Sequence, residues 1–361
     1  MTLFLAGDVM TGRGVDQILS HPSEPWLREH YIRDARDYVS LAEEANGPIT
    51  KPVDMEWPWG DALPILDVAS PDARLINLET SVTQSGDYAR GKGIHYRMNP
   101  DNIGCLTAAG IGACALANNH VLDFGERGLE DTLDTLTAAG ICTAGAGSEW
   151  KQAWQPAVID TPAGRILMWS VALTSSGVSP SNAAGPNQPG LAFLPELSDA
   201  SAKLVIEAVR QVRHPGDLAV FSVHWGSNWG YGIPDDQIGF AHDLVDAGID
   251  IVHGHSSHHP RPIEMYRGKP IFYGCGDLIN DYEGISGNEQ FRDDLRLLYL
   301  VTVDVRTHKL RDLRMIPMQA RQLRLHRAAA ADAEWLCRTL NDISASFGAR
   351  FIIDDGELLV R

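Results

Sequence analysis

The stretch "TAAGIGACALANNH" (residues 107–120) divides into three parts. A helical tail comes first, then Ala-Gly-Ile, then a run of small apolar residues that ends in two asparagines and a histidine. A glycine directly after a helical stripe fits the position where the backbone turns left-handed, which costs glycine no Cβ clash. The same grammar returns in "TAAGICTAGAG" (137–147) and "VDAGIDIVHGH" (245–255). The helices before two of these copies carry an apolar stripe at helical spacing: Leu129, Leu133 and Leu136 in one, Ile238, Ala241 and Val245 in the other. The recurrence is too short and irregular for a solenoid, so it marks successive helix–strand units of an α/β fold.

On either side of this stretch, strands are expected near 3–7, 74–78, 112–117, 141–144, 156–161, 165–173, 217–224, 250–253, 261–266, 270–274 and 296–305. Helices are expected near 14–21, 30–45, 60–67, 101–109, 126–139, 198–212, 235–247 and 330–346. Residues 22–60, with "DMEWPWGD", look like an insertion after the first unit, and "SSGVSPSNAAGPNQPG" (175–190) reads as a surface loop. The expected organisation is a main domain over 1–325. The final segment, 326–361, is read as a helix and a short strand packing on it outside the main sheets.

The chain has 361 residues, of which 44% are hydrophobic and 21% charged, enough for a substantial core. A formal charge of -17 argues against general binding of nucleic acid or anionic membranes. No apolar run reaches the roughly 18–20 residues of a membrane span, and no leader-like segment precedes the first strand. The five cysteines are scattered without a CxxC pair, so reduced thiols and a cytoplasmic setting are expected.

In α/β sheets ligands collect at the carboxyl ends of strands. The polar clusters of this chain fall at such ends. Asp8 follows LFLA in "GDVMTGR" (7–13). Asn77 and Glu79 follow RLI in "INLETS" (76–81), and Asn118, Asn119 and His120 close the opening stretch. His224 ends VFSV, and His253, His255 and His258 sit in "VHGHSSHHP" (252–260). Each has a bland reading alone: Asp8 as a helix cap, Asn118-Asn119 as a turn, His224 as a core histidine. Jointly, carboxylate, amide oxygen and imidazole make a ligand set for Mn, Zn, Fe or Mg.

The ordered succession GDVMTGR, INLETS, LANNHVLDFG, VHWG, GHSSH and YGCGDLIND resembles the CapA family of poly-γ-glutamate capsule biosynthesis proteins. That family is similar to the calcineurin-like metallophosphoesterases. The resemblance runs from residue 3 to about 281. It implies two mixed β-sheets in a sandwich flanked by helices, with one or two divalent ions on strand-end loops. Carried over, Asp8, Glu79, Asn119, His224, His255 and His258 match metal ligands and His120 the general acid. Where the phosphoesterases place a histidine two residues after the first aspartate, this chain has Met10, a poor ligand for a hard ion. One of the two metal positions is therefore expected to be weak, empty, or filled by a rearranged neighbour such as Asn77 or His253. The membrane anchor often seen in capsule-assembly members has no counterpart in the sequence.

Around this set, Asp123 is expected either to orient His120 or to cap the helix at 126–139. Arg13, Lys92 and Arg97 are the natural clamps for a small anionic substrate bearing phosphate or carboxylate. Asn77 and Trp225 are expected to contact the substrate, while Trp225, Trp229 and Tyr231 together wall the pocket or join the core. The expected activity is a metal-dependent hydrolase acting on a phosphoester or a glutamyl-type amide. Two alternatives stay open: an amide-forming enzyme, and a non-catalytic assembly subunit with a vestigial metal site. A TIM-barrel amidohydrolase needs two histidines at the first strand end, which GDVM does not supply.

Overall fold

Each Ala-Gly-Ile triplet closes a helix and launches a strand. The helices Gly104–Ala108, Gly125–Ala138 and Asp235–Asp246 are followed by Gly110, Gly140 and Gly248 at φ of 59°, 74° and 115°. In each case the isoleucine N–H reaches back to a leucine carbonyl five residues earlier. The distances are 3.3 Å for Ile111 to Leu106, 2.9 Å for Ile141 to Leu136 and 3.0 Å for Ile249 to Leu244. This is the Schellman closure, and it satisfies carbonyls that the helix end would otherwise strand.

The computed structural model describes residues 1–361. One mixed sheet has the strand order Phe351–Asp354, Glu357–Val360, Lys309–Arg321, Leu295–Asp304, Thr2–Val9, Ala73–Leu78, Ala113–Ala115 and Cys142–Ala144. Its last four strands run parallel, while Leu295–Asp304 and Lys309–Arg321 are antiparallel to their neighbours. The second mixed sheet is built on the parallel strands Gly164–Leu173, Leu218–His224, Ile251–His255 and Lys269–Phe272. Ala157–Thr161 and Ile263–Tyr266 pair with it in antiparallel sense.

Alternation along the strands sorts the layers, because successive side chains point to opposite faces. Leu3, Leu5 and Leu75 share one buried core with Met168, Val220 and Ile251 from the other sheet. Phe4, Ala6 and Ile76 turn the other way, onto Leu129, Leu133 and Leu136 of a covering helix. Trp169, Phe221 and Val252 face Val205, Val209, Phe240 and Leu244 of the helices beyond the second sheet. The layers are thus helix, sheet, sheet, helix, as expected. Each fully buried leucine contributes about 1.5–3 kcal/mol. A register slip of one residue would turn these faces inside out.

Beyond short elements such as the strands Asp277–Ile279 and Arg324–Arg327, two larger segments depart from expectation. The strand Lys309–Arg321 forms where no element is expected, because its charged first half, KLRDLR, hides the alternation. The C-terminal segment does not pack outside the sheets. After the helix Ala330–Ser344 its hairpin, Phe351–Asp354 and Glu357–Val360, extends the first sheet through Arg314 opposite Leu359. The insertion is anchored as well: Val39, Ala42, Val53 and Trp59 join the core on the helix side. No helix is long and apolar enough to cross a membrane.

Candidate metal centre

Gly7 explains why an aspartate can sit at the end of the first strand. The register shifts between Ala6 and Asp8, and a Cβ on Gly7 would lie 1.9 Å from the carbonyl oxygen of Gly276. Only glycine permits so close a passage. The Asp8 N–H donates to that carbonyl at 3.1 Å, and the short parallel strand Asp277–Ile279 sets Asp277 opposite Asp8. Two carboxylates are therefore placed side by side by a backbone crossing.

Asn77, wholly buried, holds the acidic side together. Its Nδ2 donates to Asp8 Oδ1 at 2.8 Å and to Glu79 Oε2 at 3.0 Å, and its Oδ1 accepts from Asn118 Nδ2 at 3.0 Å. Asn118 is the turn residue of its pair: its Oδ1 accepts the N–H groups of His120 and Val121, both at 3.0 Å. That turn leaves Asn119 free to place Oδ1 2.9 Å from His224 Nε2. Asn77 is neither a substrate contact nor the substitute for the missing histidine, because its amide is spent on its neighbours.

The imidazole side comes from two adjacent parallel strands, with His224 opposite His255 and Ser222 opposite His253. The Nδ1 atoms of His224 and His255 are 2.8 Å apart, and His255 Nε2 meets Ser222 Oγ at 2.8 Å. His253 is excluded as a ligand, since its nitrogens bond Ser222 Oγ at 3.1 Å and the Ala6 carbonyl at 2.8 Å. His258 Nδ1 lies 2.9 Å from Asp277 Oδ1, and its Nε2 lies 2.8 Å from Asn228 Nδ2. Ser256, with φ of 98°, turns its N–H toward both Asp8 oxygens at 3.2 and 3.4 Å. Backbone strain of this kind costs about 1–3 kcal/mol and clusters at functional sites.

Two triplets result, Asp8–His224–His255 and Asp8–His258–Asp277, each with ligand atoms within 4.8 Å of one another. Asp8 belongs to both. Glu79 Oε1 stands 3.9 Å from Nε2 of His224 and 3.9 Å from Nε2 of His120. The carboxylate missed in the sequence is Asp277. Its signal was present, since Gly276-Asp277-Leu278 repeats the pattern of Gly7-Asp8-Val9. Met10 stays out of the ligand set, and its sulfur accepts from the Tyr282 hydroxyl at 3.7 Å.

Burial, reinforced by Asp277, pushes Asp8 up to about 7 from 3.8. Burial, then Asp8 and Asp277, hold Glu79 well above its ordinary value. Burial likewise keeps His224 and His255 well below theirs, so both are neutral. For His258 burial is the largest influence and lowers its pKa, but Asp277 and Asp8 together outweigh it and leave it raised. Three crowded buried carboxylates have only His258 close beside them as a positive partner, and the cluster's oxygen and nitrogen donors suit a hard or borderline divalent ion. The cluster is compatible with a metal site.

A pH dependence follows. Below 3.8 Asp8 is protonated in both folded and unfolded chains and costs nothing. Between 3.8 and about 7 only the unfolded chain releases that proton, so metal-free stability from this group falls as pH rises through that window. A bound cation removes the penalty. The depressed His224 and His255 act in the opposite sense, weakening the fold as pH drops below 6.5. The rise in melting temperature on adding Mn or Zn should therefore be larger at pH 8 than at pH 6. A rise that shrinks with pH would count against these ligands.

His120 sits beside the cluster, its Nδ1 2.7 Å from Asp123 Oδ2, which also accepts the Tyr96 N–H at 2.7 Å. Lys92 donates to Asp123 Oδ1 and the Asn119 carbonyl. Burial is the main cause that lowers His120 to about 4, with Lys92 adding to it. Burial pushes Asp123 up, but Lys92 and His120 overcome it and hold it below the usual carboxylate range. Glu79, Lys92, Asn119, His120, His224, Asn228, Ser256, His258 and Tyr282 line one cleft of about 340 Å³.

Three expected contacts lie elsewhere. Arg13 is buried, bonds Asp281, Glu29 and Tyr38, and lies 4.3 Å from the centre of the Tyr96 ring. It braces the layer behind His120, and its donors are committed to that work. Arg97 is spent on the carbonyls of Ser85 and Glu24 at 2.9 Å each. Trp225 is fully buried in the core of the second sheet, its Nε1 donating to the Tyr273 carbonyl at 2.9 Å. Trp229 and Tyr231 gather around His259 and Phe291.

Comparison with known proteins adds family to geometry. The model of the family described as bacterial capsule synthesis protein PGA_cap matches residues 2–282. A probable polyglutamine synthesis accessory protein of Mycobacterium tuberculosis (strain ATCC 25618 / H37Rv) is 51% identical over 362 residues, covering 99% of this chain and 95% of that protein. The PGA biosynthesis protein CapA of Bacillus subtilis (strain 168) is 30% identical over 207 residues, 57% of this chain and 52% of its own. The capsule biosynthesis protein CapA of Bacillus anthracis is 25% identical over 281 residues, 78% of this chain and 60% of its own. A crystal structure from Thermus thermophilus aligns with a TM-score of 0.40 at 11% identity, covering 86% of this chain and 96% of that one. With its family match spanning the site described above, the chain belongs to the PGA_cap family of bacterial capsule synthesis proteins, as the CapA resemblance of its motifs led us to expect.

Proposed function

We propose that this protein is a metal-dependent hydrolase whose substrate is a glutamyl-type amide. The observation that carries the reading is Asp8, shared by two buried ligand triplets beside a histidine–aspartate pair that opens on the cleft. Asp8, His224 and His255 would hold one divalent ion, with Glu79 and Asn119 at its margin. Asp8, His258 and Asp277 would hold a second. Such an ion supplies Lewis acidity toward a carbonyl or phosphoryl oxygen and makes water a usable nucleophile at neutral pH.

The chain's own groups manage the proton. Asp123 fixes the His120 ring through Nδ1, which leaves Nε2 for the cleft. With its pKa held low, the resting imidazole is neutral, so Nε2 would take the proton given up by the attacking water and return it to the leaving amine. Asp123 and its partner Lys92 keep the ring in one orientation throughout. Lys92, already engaged by Asp123, is the only lysine or arginine in the cleft lining, so a phosphoryl group would have to be held by the divalent ions themselves. The names of the relatives, which speak of polyglutamine and PGA synthesis, favour the amide and make its formation from an activated acyl donor the second reading.

The test strips the protein with chelator, reloads it with Mn or Zn, and offers a γ-glutamyl anilide and an aryl phosphate. Release of the aniline by the reloaded protein alone is the expected result. Hydrolysis of the phosphate alone would transfer the reading to phosphoesters. A fully loaded protein that cleaves neither would leave an assembly role.

A further inference from the structure

A second cavity, of about 360 Å³, lies on the other side of Tyr282, the one residue that lines both it and the metal cleft. Its wall contains Arg296, which is 2% exposed. A guanidinium so deeply buried normally faces a carboxylate, because an uncompensated charge in the interior costs several kcal/mol. Arg296 has none. It donates to the carbonyls of Asp293 and Leu295 (the latter at 3.2 Å) and to Asn280 Oδ1 at 3.0 Å, while its Nε–H has no partner at all.

The other charges of this cavity are mostly spoken for. Glu283 accepts from Asn46 Nδ2 and from the N–H groups of Gln322 and Leu323. Asp294 is taken by Arg292 and Gln319. Glu289 accepts the Gly287 N–H at 2.9 Å. Asp293 is left, and burial raises its pKa although Arg296 pulls it down. Arg321, exposed, bonds only the Asn46 side-chain carbonyl at 3.1 Å and has no carboxylate partner. One arginine in the wall and one exposed arginine on the lining are thus without a carboxylate in direct contact.

We infer that this cavity is a binding site for a small dicarboxylate, with one carboxylate on Arg296 and the other at Arg321. Carboxylate suits the planar guanidinium, which pairs with it through two parallel N–H bonds. The site is separate from the metal cleft and does not depend on the hydrolase reading. It is nonetheless wired to the metal centre, because Asn280, which accepts from Arg296, donates to Asp277 Oδ2 at 2.6 Å.

The test titrates glutarate, and in parallel inorganic phosphate, into the full-length protein in chelator, so that no metal captures the carboxylates. One saturable glutarate site is expected. Arg296→Met should weaken it by about tenfold or more, and Arg321→Ala by about two- to fivefold. If Arg296→Met fails to fold, Ala320→Trp, which fills the cavity, serves in its place and should abolish binding. The inference is overturned by absence of saturable binding or by phosphate binding tighter than glutarate. It also fails if glutarate affinity survives Arg296→Met or Ala320→Trp.

Discussion

Asp8→Asn should abolish metal loading and turnover while making the metal-free protein harder to melt. Asp8 is common to both triplets, so its loss removes a ligand from each. Replacing even an outer partner of a metal ligand typically costs 10–100-fold in affinity, so loss of the shared ligand should exceed about 100-fold. The stability effect has the opposite sign. At pH 8 the buried Asp8 is ionised against a pKa of about 7 and close to Asp277, a cost the neutral amide avoids. The gain is on the order of 2 kcal/mol at pH 8 in chelator and fades toward pH 5, where Asp8 itself is protonated. Metal content by elemental analysis and melting with and without chelator measure both halves. A variant that keeps its metal, or that melts lower than the parent in chelator at pH 8, would contradict the arrangement.

Replacing His120 by alanine should lower kcat by about 10²–10⁴-fold with metal content unchanged. The imidazole lies 3.9 Å from Glu79 but is itself in neither triplet, so the ion should remain. Asp123→Asn should also lower kcat, because the amide no longer fixes the Nδ1 proton that orients the ring. Its effect on KM should be small, which separates misorientation from lost binding. Unchanged turnover in the His120 variant, with metal retained, would remove this residue from the chemistry.

Most of the candidate site is legible in the order of residues alone. Asp8, Glu79, Asn119, His224, His255 and His258 do converge, since each stands at or just after a strand end and parallel strands place such ends along one edge. Arg13 and Arg97 show the limit of that reasoning. An arginine near a site loop looks the same in sequence whether its donors face a ligand or brace a neighbouring carboxylate, and only Asp281, Glu29 and the carbonyls of Ser85 and Glu24 decide it. Asp277 escapes the strand-end pattern because it begins its strand instead of closing it.

Local sequence was enough to define the helix–strand units, through the Ala-Gly-Ile closures, and the chemical type of the donor set. Both are dictated by backbone conformation and side-chain identity within a few residues. Long-range packing was needed to set Asp277 opposite Asp8 and to let Asn77 join two carboxylates. It was needed as well to leave Arg296 buried with no carboxylate in direct contact. Those facts depend on segments up to hundreds of residues apart meeting in one low-dielectric interior, where each charge is defined by what surrounds it.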